Sequence, residues 1–133
     1  MLVAGARAPI VVSEDMVRSM KPGSVIVDVA VDQGGCIATT RETTHTDPIY
    51  MQHGVVHYAV GNMPGAVPYT STYSLTNATL PFQLEIARLG AHGAITNSEA
   101  IRHGLNTARG NITNDAVARE LNLAYVDPLI ALN

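Results

Sequence analysis

Two apolar runs in the first half of the chain each end in polar residues and glycines. The first run, at 24–30, is rich in β-branched residues and is followed by Asp32, a pattern that predicts a buried parallel strand with an acid beyond its carboxyl end. The second run, at 55–60, precedes Asn62 and lies about 30 residues further on, a spacing typical of a βαβ-type unit. Open α/β sheets bind ligands beyond the carboxyl ends of their strands. We therefore expect Asp32 and Asn62 to reach one edge of a sheet.

Helix signals precede the first strand and dominate the second half of the chain. Ser13, followed by two acids, predicts an N-cap. Pro81 predicts a possible kink in a long helix, and Gly90 predicts its end. The predicted elements, in chain order, are a strand tail at 1–3, a helix at 13–20, a strand at 24–30, an irregular polar loop from 39 to 48, a strand ending at 60, and helices at 71–89, 98–103 and 114–121. This order predicts an α/β fold, namely half of a doubly wound sheet followed by a helical segment.

Composition indicates a surface that is short of charge. Charged residues make up 14% of the 133 residues and hydrophobic residues 47%, whereas soluble domains average about 25% charged residues. The chain is either a mildly apolar globular domain or one whose surface meets another domain or subunit, and we favour the second interpretation. We accordingly expect the isolated chain to fold poorly or to self-associate, since its strands expose both faces and an unpaired edge.

Charge and motif content argue against several classes of partner. The net charge of -3 and the scattered basic residues argue against nucleic acid. No apolar stretch approaches the roughly 18 to 20 residues that span a bilayer, and the N-terminus lacks a signal-peptide pattern. The single cysteine, Cys36, fits a reducing compartment and is interpreted as a small packed side chain. These features predict a cytoplasmic protein without a membrane partner.

Several segments resemble the C-terminal part of bacterial alanine dehydrogenases, and the resemblance covers nearly the whole chain. The proton-translocating transhydrogenase α subunit is a related family that shares KPGSVIVD but resembles Ala-Glu-Ala-Gly-Gly where this chain has Val31–Gly35. The Asp-Gln pair and the Asn-Met-Pro turn favour the dehydrogenase. The segments that carry the resemblance are KPGSVIVDVAVDQGGC at 21–36, Thr-Thr-His at 43–45, Val-Val-His-Tyr at 55–58, Asn-Met-Pro-Gly-Ala-Val-Pro at 62–68 and TSTYSLTNATLP at 70–81.

The resemblance implies an NAD-dependent enzyme that interconverts L-alanine with pyruvate and ammonia and forms a homo-oligomer, a hexamer in the family. Residues 1–68 would be the C-terminal part of a Rossmann-type NAD-binding domain, and residues 69–133 a helical segment that packs on a substrate domain. No G-x-G-x-x-G cradle occurs in the chain. In the family that cradle and the lysine and histidine that handle the 2-oxo acid lie upstream of the position matching Met1. The chain thus resembles roughly the last third of the enzyme and is expected to be inactive alone.

Two alternatives to this function stay open. The chain could be a non-catalytic remnant or assembly partner that binds a complementary N-terminal chain. It could also be a transhydrogenase-like NAD-binding fragment.

Asp32 is the implied catalytic residue, because the matching acid in the family lies beside the nicotinamide ribose and the reacting carbon. A carboxylate there could orient ammonia or an amino group and favour positive charge. The alternative is a loop carboxylate that caps the turn at Gly34 and Gly35.

Asn62 and Met63 could bind the carboxamide and pack on the nicotinamide ring, or they could form an ordinary turn. The remaining residues that the resemblance places near the cofactor are Val29, Ala30, Val31, Arg41, Val60 and Gly61. The five histidines lack metal-ligand spacing, so we expect structural or solvated roles and no metal.

Overall fold

The computed structural model describes residues 5–132, which form two compact units, one of residues 7–68 and one of residues 5–6 and 69–132. The first unit contains helix α1 (Glu14–Arg18) and strands β1 (Val25–Val27), β2 (Ile49–Gln52) and β3 (Val55–Tyr58). The strand order is β1-β3-β2, with β1 parallel and β2 antiparallel to β3. The predicted α/β class and the parallel pairing of the two apolar runs are confirmed. The strand tail predicted at 1–3 lies outside the described residues.

Helix α1 begins where the sequence predicts, since the Ser13 hydroxyl accepts the Met16 N–H at 3.3 Å. Its buried residue, Val17, joins Ile37 and Val55 in the core of the first unit, and Ile26 of β1 packs against that cluster. One face of the sheet is therefore covered by α1 and the loop that carries Ile37.

The opposite face of the sheet is apolar and exposed. Its large side chains are each more than half accessible to solvent, namely Val25, Val27, Ile49 and Met51. The prediction that the first strand is buried is therefore wrong for this chain, because the described residues of the unit pack a helix against one face only. Burying such a face is strongly favourable, at about 25 cal/mol per Å² of apolar surface, so these side chains form a surface suited to contact.

The strands are shorter than the sequence predicts. The strand expected at 24–30 stops at Val27, because the Asp28 side chain accepts the Ala30 N–H at 3.0 Å and turns the backbone out of the strand direction. Strand β3 stops at Tyr58, two residues before the predicted end. The residue at that predicted end, Val60, forms only an isolated bridge with Thr43.

Strand β2 was not predicted as an element of its own. It joins β3 through His53 and Gly54, whose φ angles of 53° and 76° are both positive. Two-residue hairpins need such angles and usually use Asn-Gly or Asp-Gly. His-Gly is not one of these usual turn sequences, so the sequence did not indicate a hairpin here.

The second unit contains a long helix, α2 (Pro68–Asn97), with non-helical backbone at Gly90 (φ 69°, ψ 170°). The predicted end of the helix at Gly90 is confirmed, and a second helical segment follows it; Pro81 lies inside the helix, and the non-helical backbone is at Gly90 instead. Helices α3 (Glu99–His103) and α4 (Asp115–Leu121) match the predicted short helices. A small hairpin of β4 (Thr107–Ala108) and β5 (Asn111–Ile112) and a terminal helix α5 (Pro128–Ala131) were not predicted, because each is too short to show a hydrophobic period.

Helix α2 buries only Ala94 and Ile95. Its large apolar side chains are exposed along most of its length, namely Tyr69, Tyr73, Leu75, Leu80, Phe82, Leu84, Ile86 and Leu89. This exposure agrees with the low charge of the sequence and with a surface that meets another domain or subunit. No helix between residues 5 and 132 combines the length and the apolar content needed to cross a membrane.

Candidate functional site

The carboxyl ends of β1 and β3 meet at one edge of the sheet, because the two strands are parallel. Asp32 follows β1 in a short 3₁₀ turn, Val31–Gln33, and Asn62 follows β3. The backbone N–H of Asn62 donates to Oδ1 of Asp32 at 3.3 Å. The predicted meeting of these two loops is therefore observed. Both residues are exposed, so their side chains are accessible to a ligand.

Asn62 adopts the left-handed backbone conformation (φ 54°, ψ 52°) and begins the turn Met63–Ala66. Its carbonyl oxygen lies 3.0 Å from Nε2 of His45. Because a carbonyl can only accept, Nε2 is the donor in that bond. The backbone of Asn62 is thus held on both sides, by Asp32 and by His45. This contact gives His45 a structural role, in agreement with the sequence-based interpretation.

The loop that carries Asp32 is organised by Asp28, a residue that sequence analysis did not select. Asp28 is 1% exposed and accepts five hydrogen bonds. Its Oδ1 accepts from the Ala30 N–H at 3.0 Å and from the Cys36 thiol at 3.3 Å. Its Oδ2 accepts from the N–H groups of Cys36 (2.9 Å) and Ile37 (3.3 Å) and from the Thr40 hydroxyl (2.6 Å). An acid directly after the last strand residue was the available signal for this role.

These contacts keep the Asp28 carboxyl ionised in the interior. Burial raises its pKa, but the hydrogen bonds from the Thr40 hydroxyl, the Cys36 N–H and thiol and the Ala30 N–H lower it more. The net result is a pKa below the usual aspartate value. The Cys36 thiol shifts the other way, because burial and its hydrogen bond to Asp28 both raise the pKa of the thiol.

We expect the free energy of unfolding to fall as the pH decreases below about 5. A folded-state pKa below the unfolded value of about 3.9 contributes stability that is complete above that value and is lost as the pH falls through the folded pKa. Urea unfolding, between pH 7 and pH 3, of a full-length protein that contains these residues measures this dependence. Asp28→Asn should flatten it, whereas the exposed control Asp15→Asn should not.

Glu14 also contributes to the pH dependence of the free energy of unfolding, so part of that dependence should remain in Asp28→Asn. Its pKa is also lowered, chiefly by a hydrogen bond from His53 and then by Arg18. A pH dependence that is unchanged in Asp28→Asn would contradict the expected role of the buried carboxylate.

His57 is buried beneath the same loop. Its Nδ1 lies 3.0 Å from the Val55 carbonyl and its Nε2 lies 2.8 Å from the Thr39 hydroxyl. Since the carbonyl can only accept, Nδ1 donates to Val55. The ring also stacks on Tyr50, with centroids 4.8 Å apart. This residue is structural, as the sequence analysis expected.

Arg41, a predicted cofactor contact, lies on the same tyrosine. Its guanidinium carbon is 4.0 Å from the centroid of the Tyr50 ring, and its backbone N–H donates to the Tyr50 hydroxyl at 3.0 Å. That hydroxyl donates onward to the Thr39 carbonyl at 2.6 Å. Arg41 therefore anchors the loop between β1 and β2 through a cation–π contact.

The remaining predicted cofactor contacts divide by burial. Ala30, Val31 and Val60 are at most 6% exposed, so their side chains belong to the core of the chain and only their backbone could reach a ligand. Val29, by contrast, is 68% exposed. A Cβ at Gly61 would overlap the exposed Glu42 carboxylate, which is the far end of a flexible side chain and can turn away from it.

Within residues 5–132, no group of three histidine, cysteine, aspartate or glutamate side chains could hold a metal ion. The functional groups at the sheet edge are instead a carboxylate, an amide and a thioether, from Asp32, Asn62 and Met63. A carboxylate can orient an ammonium or amine, and an amide can pair with a carboxamide. These three groups could together bind the nicotinamide half of a dinucleotide and an amino-acid substrate.

The chain is similar to known proteins over most of its length. The alanine dehydrogenase/PNT C-terminal domain family matches residues 1–115. The alanine dehydrogenase of Bacillus subtilis is 60% identical over 126 residues, which cover 94% of this chain and 33% of that enzyme. The alanine dehydrogenase of Methanococcus maripaludis is 56% identical over 133 residues, which cover 99% of this chain and 36% of that enzyme.

A solved structure of an L-alanine dehydrogenase superposes on this chain with a TM-score of 0.73 and 48% identity. The superposition covers 92% of this chain and 34% of that structure. The chain thus spans about a third of the length of the relatives it matches. On the sequence match and the shared Rossmann-like fold, the chain belongs to the alanine dehydrogenase/PNT C-terminal domain family.

Proposed function

We propose that this chain supplies the nicotinamide side of an NAD-dependent alanine dehydrogenase, which interconverts L-alanine with pyruvate and ammonia. The observation that carries the proposal is the contact between Asp32 and Asn62 at the carboxyl edge of the parallel strands. That edge is where α/β sheets bind ligands. We infer the substrate, L-alanine, from the alanine dehydrogenases to which the chain is 54% to 60% identical.

Asp32 is the residue we assign to the chemistry. Its exposed carboxylate would orient the amino group of alanine or incoming ammonia and would stabilise positive charge near the reacting carbon. Bound NAD supplies the hydride acceptor, so the protein contributes binding, orientation and electrostatics. Asn62 would bind the carboxamide, and Met63 would pack on the ring. Further contacts with the cofactor would come from the side chains of Val29 and Arg41 and from the backbone of Ala30, Val31, Val60 and Gly61.

We further propose that residues 1–68 complete an NAD-binding domain and that residues 69–133 pack on a substrate domain. The exposed apolar side chains of α2 and of the sheet support contact with further protein. A cytoplasmic homo-oligomer with no nucleic-acid or membrane partner fits the charge distribution and the single cysteine.

A hybrid protein tests this function. In it, residues 1–133 replace the matching C-terminal third of the Bacillus subtilis enzyme, which supplies the upstream two-thirds. We expect the hybrid to form NADH from NAD and L-alanine, because 60% identity over the exchanged segment preserves the site and its packing. The 133 residues alone should form none, because they contain no G-x-G-x-x-G cradle for the pyrophosphate.

The controls separate the contributions of the two parts. The upstream Bacillus segment alone should be inactive. A hybrid that folds and assembles like the Bacillus enzyme but does not oxidise alanine would refute the proposed function. Alanine-dependent NADH formation by the pure 133-residue chain would refute the expectation for the isolated chain.

A further inference from the structure

We infer that Asp28 is a positioning residue for the proposed reaction, because its buried carboxylate holds the loop that presents Asp32 to Asn62. The inference rests on the proposed function, since it gives Asp28 its role through Asp32. Asp28 itself lies beneath the loop and is 1% exposed, so it does not touch a ligand. Its five hydrogen bonds all go to groups on the segment that follows β1.

The Asp28 carboxylate accepts hydrogen bonds from residues before and after the turn that contains Asp32. Before that turn it accepts the Ala30 N–H, and after it the N–H groups of Cys36 and Ile37. Within the turn, the Gln33 and Gly35 N–H groups both donate to the Ala30 carbonyl, at 2.9 and 3.0 Å. Asp32 therefore lies on a closed loop whose two ends are fixed to one buried charge.

The strand side of Asp28 is equally fixed. Its backbone N–H donates to the Tyr58 carbonyl of β3 at 3.0 Å, a hydrogen bond of the parallel pair between Val27 and Tyr58. Asp28 thereby joins the strand pair to the loop. Asn62 follows Tyr58 by four residues along the chain. Asp28 is therefore connected to both residues of the Asp32–Asn62 contact, through the loop after β1 and through β3.

A charged acceptor suits this role better than a neutral one. An ionised carboxylate is acceptor-only and can receive all the donors that point at it, whereas an amide places an NH₂ group against some of them. Charge-assisted hydrogen bonds are also about twice as strong as neutral ones. Asp28→Asn keeps the shape of the side chain and leaves at least one loop donor facing another donor.

The test uses turnover of the hybrid protein, with variants at Asp28 and Thr40. A displacement of about 1 Å at a reacting group can cost about 10²-fold in rate, so Asp28→Asn should lower kcat by about that factor. The KM for NAD should change little. Thr40→Val removes the 2.6 Å hydrogen bond but keeps the charge, and should lower kcat less. Thr40→Ser keeps the hydroxyl and should restore turnover.

A double variant distinguishes positioning from stabilisation. If Asp28 acts through Asp32, adding Asp28→Asn to Asp32→Asn should reduce kcat no further than Asp32→Asn alone, because coupled residues are non-additive. Independent losses that multiply would overturn the inference. Melting temperatures are measured for every variant, and kinetics are run well below them. Parent-like turnover in folded Asp28→Asn would also overturn it.

Two further measurements test the inference if Asp28→Asn does not fold or if the hybrid is inactive. Should Asp28→Asn not fold, the Thr40 pair decides, and equal turnover of the valine and serine variants overturns the inference. Should the parent hybrid fold and assemble but be inactive, the proposed function fails, and amide NMR of the folded hybrid decides the role of Asp28. There, Thr40→Val but not Thr40→Ser should shift the Asn62 amide resonance, and an unshifted resonance would overturn the inference.

Discussion

Asp32→Asn should lower the turnover of the hybrid protein by about 10² to 10³, equivalent to about 2.7–4 kcal/mol, the usual loss when one preorganised electrostatic contact is removed. The amide keeps the shape of the carboxylate and an oxygen that can still accept the Asn62 N–H. It loses the negative charge that would stabilise positive charge near the reacting carbon. Steady-state kinetics with L-alanine and NAD measure the effect. Affinity for NAD should change far less, because the contacts to its pyrophosphate and adenosine lie outside these residues.

The matched control is Asp15→Asn, which neutralises an exposed acid on α1 of the same unit. It should leave kcat and the melting temperature close to those of the parent. If Asp32 only capped the turn at Gly34 and Gly35, its variant would instead melt lower and turn over almost normally. Turnover of Asp32→Asn within a few-fold of the parent would end its assignment as catalytic.

Gly35→Ala should lower the free energy of unfolding by about 2–5 kcal/mol. Gly35 has a φ of +77°, and a left-handed backbone costs a non-glycine residue about 1–2 kcal/mol. An added Cβ would also lie 2.6 Å from Thr40 Cγ2 and 2.9 Å from Asp28 Oδ2, and overpacking of this kind typically costs about 1–3 kcal/mol. Chemical unfolding of the chain or of the hybrid measures the sum.

Gly23→Ala separates the two contributions to that loss. Gly23 has a similar φ of +83°, but no heavy atom that the structure describes lies within 4 Å of its added Cβ. It should therefore show the backbone cost alone, about 1–2 kcal/mol. Equal losses in the two variants would show that the loop accommodates the methyl group and that its packing around Asp28 is loose.

Features set by local chemistry were predictable from the sequence. The cap at Ser13 and the helix end at Gly90 depend on residues within a few positions of each other. The contact between Asp32 and Asn62 spans 30 residues. It was nevertheless predictable, because parallel strands place their carboxyl ends at one edge whatever lies between them.

The role of Asp28 was not predictable in the same way. Its partners Cys36, Ile37 and Thr40 lie 8 to 12 residues away on a loop without regular structure. No periodicity fixes where such a loop folds back, so only the structure shows which acid it surrounds. The pattern of the run at 24–30 indicates the exposed acid beyond the strand and not the buried one.

The hydrogen bond between Asp28 and Cys36 makes the only cysteine of the chain a weak nucleophile. Thiolates, not thiols, react with alkylating reagents and with disulfides. Because burial and the adjacent carboxylate raise the thiol pKa, little thiolate forms at neutral pH. We therefore expect Cys36 to form intermolecular disulfides slowly under mild conditions. The rate at which iodoacetamide labels Cys36 reports directly on whether the charge beneath the loop is in place.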